Sequence, residues 1–84
     1  MNFSNIWNRI VQHAGEDFYT VTNIRFTYQI SCNSVITDRT TYPLAQSQFE
    51  KAYNLGELKN PSQINKLVRG PSYVYAILTD ARIK

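Results

Sequence analysis

The chain has 84 residues, 43% of them hydrophobic and 18% charged, and nine Lys and Arg residues against six Asp and Glu residues give a net charge of +3. This composition is typical of a single compact domain, here residues 1–84, and excludes a disordered chain. The single cysteine, Cys32, excludes an internal disulfide. No apolar run is long enough to cross a membrane, and the first residues lack a signal-peptide pattern, so we expect a cytoplasmic protein with no membrane partner.

Apolar residues near the start of the chain recur every three or four positions. This spacing predicts an amphipathic helix over residues 4–14, and Gly15 follows where such a helix commonly ends. The predicted buried stripe consists of Phe3, Ile6, Trp7, Ile10, Val11 and Ala14.

The next twenty residues are rich in β-branched and aromatic side chains. We predict strands over residues 18–22, 24–30 and 35–37, with a hairpin turn over residues 31–34. In the middle strand, apolar residues alternate with polar ones, so one face is apolar and the other is polar and carries a cation. The apolar set is Ile24, Phe26, Tyr28 and Ile30, and the polar set is Arg25, Thr27 and Gln29.

The remainder of the chain carries helix signals separated by loops. Residues 38–43 are polar and precede a proline, which predicts a loop. Ser47 and Glu50 have the spacing of a capping box, which predicts a second helix that begins there and ends at Gly56. Phe49, Ala52 and Tyr53 would form its inner face.

Two further helices are predicted after Gly56. Asn60 and Pro61 are typical of a helix start, and Gly70 would end this third helix. The last segment, after Pro71, has apolar residues at helical spacing, which favours a helix. The alternation of Tyr73, Tyr75 and Ile77 leaves a strand open there. The predicted fold class is therefore α+β, a three-stranded antiparallel meander covered by helices in the order α-β-β-β-α-α-α.

The sequence offers few routes to catalysis, and we assign no catalytic residue, cofactor or metal. One histidine, His13, and one cysteine cannot make a zinc site of the usual kind within one chain. A Cys32–His13 nucleophile pair is arithmetically open, but a thiol in a hairpin turn without nearby cations favours an inert cysteine. The three glycines are too scattered for a phosphate-binding loop. Residues 57–59, with Asp38 upstream, match the end of a nuclease pattern, but in a predicted loop instead of a buried strand.

Cations and tyrosines that the core pattern does not require are candidates for binding. Cations can contact phosphates, and tyrosines can stack on bases. The competing interpretation is a solvated rim with ordinary helix caps. The candidate nucleic-acid-binding residues are Arg25, Arg39, Tyr42, Lys51, Lys66, Arg69 and Tyr73.

Several segments also suggest a relationship to known proteins. They are Trp7, the turn at residues 15–16, and residues 26–28, 39–40, 47–52, 67–80 and 82–83. Together they resemble small uncharacterised bacterial proteins of the type carried on mobile elements and beside defence genes. The resemblance covers nearly the whole chain and implies a genomic setting more than a mechanism. It directs attention to Arg39 and to residues 69–73.

Three functional hypotheses follow. The first is a non-enzymatic module that binds nucleic acid, DNA or RNA, through phosphate contacts. The second is a protein-interaction or inhibitor module in a phage, mobile-element or defence setting, whose tyrosines serve a partner or a homodimer interface. The third is a metal-free ribonuclease toxin that uses Arg25, Arg39 and tyrosines on a sheet.

Overall fold

The structure, a computed structural model, describes residues 3–84, and its architecture is α+β as predicted. The elements are α1 (Phe3–Gln12), β1 (Phe18–Tyr19), β2 (Arg25–Phe26), β3 (Tyr28–Ser31), β4 (Ser34–Thr37), β5 (Leu44–Ala45), α2 (Gln46–Tyr53), a 3₁₀ turn (Pro61–Ile64) and α3 (Pro71–Thr79). β1 and β2 form one antiparallel sheet, and β3, β4 and β5 form another. The predicted order and single meander match this arrangement only roughly, because the strands are more numerous, shorter and divided between two sheets.

The predicted strand over residues 24–30 is interrupted at Thr27. The Thr27 amide donates to the Asp38 side chain (3.0 Å), and the Thr27 carbonyl accepts from the Asp38 amide (3.0 Å). The Asp38 carboxylate therefore accepts the hydrogen bond that a backbone carbonyl would accept in regular strand pairing. Before Thr27 the chain pairs with β1, and after it the chain pairs with β4. The predicted alternation holds for Phe26 and Tyr28, which are buried, but Ile24 is 43% exposed.

The hairpin over residues 31–34 is confirmed, and a missed strand follows it. Cys32 and Asn33 both have positive φ (49° and 60°), as a tight two-residue turn between twisted strands requires. β5 pairs with β4 and places Leu44 opposite Val35, both fully buried. Two residues that follow a proline carry no recognisable strand pattern, so this strand forms only through its pairing.

Helix α1 presents the predicted apolar face to the core. Ile6, Trp7 and Ile10 are buried, whereas Val11 is 41% exposed at the edge of the stripe. Tyr28 fixes the end of this helix, because its hydroxyl donates to the Ile10 carbonyl at 2.5 Å and its carbonyl accepts from the Gly15 amide at 2.8 Å. Burial raises the pKa of the Tyr28 hydroxyl, which keeps it protonated as a donor.

The predicted capping box at Ser47 is wrong. α2 begins at Gln46 and its N-cap is Ala45, which makes no side-chain cap. The reason is the preceding strand, since the Gln46 amide donates to the Asn33 carbonyl (3.1 Å) and the sheet satisfies the first helical amide. The inner face is confirmed, because Phe49 and Ala52 are fully buried.

The predicted third helix is only one turn long. Asn60 caps it, as predicted, and Gln63 completes a capping box that was not predicted from the sequence. The amides of Leu67 and Val68 then both donate to the Ile64 carbonyl, so the chain turns and the helical ladder stops. The last segment is helical, and α3 buries Val74, Ala76, Ile77 and Leu78.

The helices and both sheets share one hydrophobic cluster. Its buried members are Phe3, Ile6, Trp7, Ile10, Phe18, Phe26, Tyr28, Val35, Leu44, Phe49, Ala52, Ile64, Val68, Val74, Ala76, Ile77, Leu78 and Ile83. The radius of gyration is 11.3 Å, close to the value of about 12 Å expected for a compact domain of this length. Within residues 3–84, no helix has the length and apolar character needed to cross a membrane.

Candidate nucleic-acid interface

The loop between β4 and β5, residues 38–43, positions Arg39 and Tyr42. The Thr40 hydroxyl donates to the Tyr42 carbonyl (3.1 Å) and lies 3.0 Å from the Thr37 hydroxyl. Thr37 Oγ1 in turn accepts from the Arg39 amide (3.2 Å). Each hydroxyl has one proton, so Thr37 must donate to Thr40. The loop is therefore held by a chain of hydroxyls anchored at Thr37, which is 3% exposed.

Arg39 lies across the backbone of β2. Its Nε donates to the Arg25 carbonyl at 3.2 Å, and both side chains are exposed. Because Arg25 alternates with the buried Phe26, its side chain is on the outer face of the strand. The two arginines predicted as phosphate contacts are therefore close together at this strand.

Arg69 packs against Tyr42. Its Cζ is 4.2 Å from the centre of the Tyr42 ring, which is a cation–π contact. The Arg69 amide donates to Gln48 Oε1 of α2 at 3.1 Å, so its backbone is held as well. Arg69 is exposed and Tyr42 is half-buried. The Tyr42 ring thus provides the surface against which the Arg69 guanidinium packs.

Gly70 allows two tyrosines to approach one backbone position. It has φ 60° and ψ 51°, in the left-handed region, and it precedes the first residue of α3. A Cβ on Gly70 would lie 3.6 Å from the Tyr42 hydroxyl and 3.4 Å from the Tyr73 ring. Tyr73 also packs edge-on against Phe26, with ring centres 5.0 Å apart. Tyr42 and Tyr73 therefore both lie beside Gly70, and Tyr73 contacts the buried face of β2, opposite to the Arg25 side chain.

We call this set the arginine–tyrosine surface. Its members are Arg25, Arg39, Tyr42, Arg69 and Tyr73, which are five of the seven predicted binding residues. The other two lie beside it. Lys51 is one turn after Gln48 on α2, and residues three apart share a helix face. Lys66 is exposed three residues before Arg69, on an irregular turn and not on the predicted helix.

Replacing Gly70 with Ala tests whether this close approach shapes the surface. The new Cβ would be strained at positive φ and would lie 3.1 Å from Leu44 Cδ2. We expect the free energy of unfolding to fall by about 1–3 kcal/mol and nucleic-acid affinity to fall as well. Gly56→Ala is the control, because Gly56 also has positive φ but its Cβ would meet nothing within 4 Å. Urea unfolding and a binding titration of both variants check this, and equal binding by the two would contradict it.

A second group of charged side chains is centred on Arg82. Arg82 binds Asp80 through two nitrogens (2.9 and 3.0 Å) and Glu16 through a third (3.0 Å). It also donates to the Asp17 carbonyl and lies 3.9 Å from the centre of the Phe18 ring. Among residues 3–84, the Asp and Glu residues that form ion pairs with arginine are Glu16 and Asp80, and in both pairs the arginine is Arg82.

This cluster makes stability sensitive to acid. Hydrogen bonds from His13 and Arg82 lower the pKa of Glu16, and the hydrogen bonds from Arg82 lower the pKa of Asp80. A carboxyl whose pKa is lower in the folded state stabilises it above the unfolded pKa, and this contribution is lost as the pH falls through the folded pKa. We therefore expect the free energy of unfolding to decrease from about pH 5 to about pH 2.

Arg82→Ala isolates that contribution. At neutral pH the variant should lose about 1–2 kcal/mol, a modest value because the ion pairs are partly exposed. Its stability should then fall less steeply in acid than that of the parent. Urea unfolding across the acidic range measures both, with Lys84→Ala as a control for removing a neighbouring charge. Parallel pH profiles for Arg82→Ala and the parent would contradict the assignment.

The structure also contains a pocket of about 490 Å³ between the end of α2, the following loop and α3. Its lining residues are Tyr53, Gly56, Glu57, Leu58, Tyr75, Leu78, Thr79 and Lys84. Two of its hydroxyls already have partners, since Tyr75 donates to the Lys59 carbonyl (3.0 Å) and Thr79 to the Tyr75 carbonyl (2.7 Å). This pocket is separate from the arginine–tyrosine surface.

The residues considered for catalysis lie apart. His13 Nδ1 contacts Glu16 at 2.9 Å, whereas Cys32 is exposed in the β3–β4 turn. Glu57 and Lys59 are in a loop, as expected, and not on a strand. Within the part of the chain that the structure describes, no group of three or more His, Cys, Asp or Glu residues is placed to hold a metal ion.

The fold and surface define a small α+β protein with exposed arginines beside half-buried tyrosines. Comparison with protein-family models, curated proteins and solved structures found no match. The relationship to proteins of mobile elements and defence-gene neighbourhoods therefore stays a prediction, and function is argued from the surface itself.

Proposed function

We propose that the chain is a non-enzymatic, cytoplasmic nucleic-acid-binding module that contacts phosphates with its exposed cations. The observation that carries the proposal is the arginine–tyrosine surface. Its three arginines are exposed, and none of them pairs with a carboxylate within 4 Å in the described part of the chain. The proposed contact residues are Arg25, Arg39, Tyr42, Lys51, Lys66, Arg69 and Tyr73.

The charge arrangement supports phosphate binding more than the net charge does. A total of +3 is modest, but Glu16 and Asp80 are both paired with Arg82, which is not part of the arginine–tyrosine surface. The carboxylate of Asp38, the residue before Arg39, accepts from the Thr27 amide. Phosphates that bind here would displace condensed counterions, so affinity should depend strongly on salt.

Titration of the protein with labelled single-stranded DNA, RNA and duplex DNA tests the proposal. We expect saturable binding at low salt, weaker binding at physiological salt, and a log–log slope that reflects roughly three to five phosphate contacts. A gel of the same RNA samples in chelator checks that the RNA stays intact, which separates binding from ribonuclease activity. No binding at low salt would refute the proposal, because electrostatic attraction is then strongest.

A protein-interaction module is the second candidate, and one feature favours it. The β1–β2 hairpin exposes three large apolar side chains, Tyr19 (54%), Val21 (60%) and Ile24 (43%). Aromatic and aliphatic anchors of this kind dominate protein interfaces, including homodimers. Such binding would survive high salt and nuclease treatment. A Tyr19→Ser variant that loses a partner, or that changes the sedimentation of a dimer, would support this candidate over the first.

A further inference from the structure

The geometry of the Arg69–Tyr42 pair indicates which form of nucleic acid the surface takes. One face of the Tyr42 ring is covered by the Arg69 guanidinium at 4.2 Å, and the ring is half-buried. Tyr73 is likewise occupied, edge-on, by Phe26. Arg69 is exposed, so its planar guanidinium group, which contacts Tyr42 on one side, is accessible to a ligand.

We infer that a nucleobase stacks on the outer plane of the Arg69 guanidinium and that the surface selects single-stranded nucleic acid. This rests on the proposed function. Arginine planes, like aromatic rings, stack on bases that have left a duplex. In a duplex the base faces are already stacked on one another, so they are not available to stack on the Arg69 guanidinium.

Contacts of both its backbone and its side chain hold Arg69 in place, which favours stacking of a base on it. Its amide is bound by Gln48 Oε1 (3.1 Å), and the left-handed Gly70 follows directly. Its side chain rests on Tyr42, whose carbonyl is held by Thr40. The backbone bond and the ring contact reduce the freedom that Arg69 would lose when a base stacks, which favours binding.

Phosphates of the flanking nucleotides have a suitable cation nearby. Arg39 is three residues from Tyr42 in the same loop, and its Nε is already used by the Arg25 carbonyl. The terminal nitrogens of Arg39 are the groups left to face a phosphate, in a fork geometry suited to phosphate oxygens.

The helices do not carry the set of cations that binding in the major groove of a duplex would require. Recognition in the major groove uses a helix or a two-stranded ribbon that carries the contact residues. α1 has one basic residue, Arg9, whose Nη1 donates to the Ile83 carbonyl (3.1 Å). α2 has only Lys51, and α3 has no Lys or Arg. The other proposed contact cations are on loops, an irregular turn and a two-residue strand, which suits a flexible single strand better than a rigid groove.

The test uses single strands of about 12 nucleotides, within the range of such sites, and the duplex of the same sequence. We expect the parent to bind the single strand about tenfold more tightly than the duplex. Arg69→Lys keeps the positive charge but removes the planar guanidinium group. Its affinity for the single strand should fall about tenfold, and its preference for the single strand over the duplex should be lost. Arg9→Lys, the same exchange at an arginine of α1 outside the arginine–tyrosine surface, should change affinity less than about threefold.

A base analogue reports stacking directly. With 2-aminopurine in the single strand, emission should change on binding to the parent and to Arg9→Lys but not to Arg69→Lys, because only the first two would separate the base from its neighbours. Duplex binding as tight as single-strand binding, or an equal change in emission with Arg69→Lys, would overturn the inference and leave nucleic-acid binding in place. No binding of either form at low salt would remove the proposed function and this inference together. Circular dichroism of each variant checks that the fold is retained.

Discussion

Replacing Arg39 and Arg69 together with Ala should weaken nucleic-acid binding by at least about 30-fold while the protein stays folded. Arg69 would contribute the stacking plane and Arg39 the phosphate contact, each worth roughly 1–3 kcal/mol. Both side chains are exposed and neither belongs to the buried cluster, so stability should change little. The slope of log affinity against log salt should also decrease, because fewer counterions are released.

The matched control removes the same charge elsewhere. Lys59 and Lys84 are exposed and outside the arginine–tyrosine surface: Lys84 lines the pocket beyond the end of α3, and the Lys59 carbonyl accepts from Tyr75 in the middle of that helix. That helix has nine residues and is therefore about 13 Å long. Lys59→Ala with Lys84→Ala should reduce affinity less than about fivefold, through the general field alone. Equal losses in the two double variants would show that net charge, and not the arginine–tyrosine surface, determines binding.

Replacing Phe18 with Ala should lower the free energy of unfolding by about 3–5 kcal/mol. Phe18 is fully buried, and its ring centre lies 5.2 Å from that of Tyr28 and 6.0 Å from that of Phe26. Its loss would leave a cavity between the sheets and remove the aromatic face on which Arg82 rests. The free energy of unfolding of a whole chain of this length is expected to be about 4–12 kcal/mol. The variant should therefore be only marginally folded.

Urea unfolding followed by Trp7 fluorescence measures this effect, since Trp7 is buried in the same cluster. Tyr19→Ala is the neighbouring control. Tyr19 is 54% exposed on the other face of β1, and its loss should cost less than about 1 kcal/mol. A Phe18→Ala variant as stable as Tyr19→Ala would show that the aromatic cluster does not join the two sheets as described.

The elements with local signals could be predicted, and those made by long-range pairing could not. The α1 stripe, the turn at Cys32 and Asn33 and the helix after Pro71 each have a pattern in a few adjacent residues. β5 has only Leu44 and Ala45, and it exists because β4 offers a pairing edge. The same pairing moved the start of α2 ahead of the predicted cap, since tertiary context overrides local preference.

The sequence singled out the residues of the candidate surface, but it did not predict how they are arranged in space. Arg39, Tyr42 and Arg69 stood out because the core pattern does not need them. That Arg69 covers Tyr42 depends on a contact between residues distant in sequence, which no local spacing encodes. Gln48 was missed entirely, because a single amide side chain in a helix carries no signal for its bond to the Arg69 backbone. The role of Gly70 beyond ending a helix was missed for the same reason.

The most direct test of the central claim is an NMR titration of the isotope-labelled protein with an unlabelled single-stranded oligonucleotide at low salt. Binding at the arginine–tyrosine surface should shift the backbone amides of residues 25, 39–42, 69–70 and 72–73, and leave those around the pocket at residues 56–58 unchanged. Shifts confined to residues 19–24 of the β1–β2 hairpin would place the interaction on the apolar tip. That result, or a spectrum that does not change, would contradict the account.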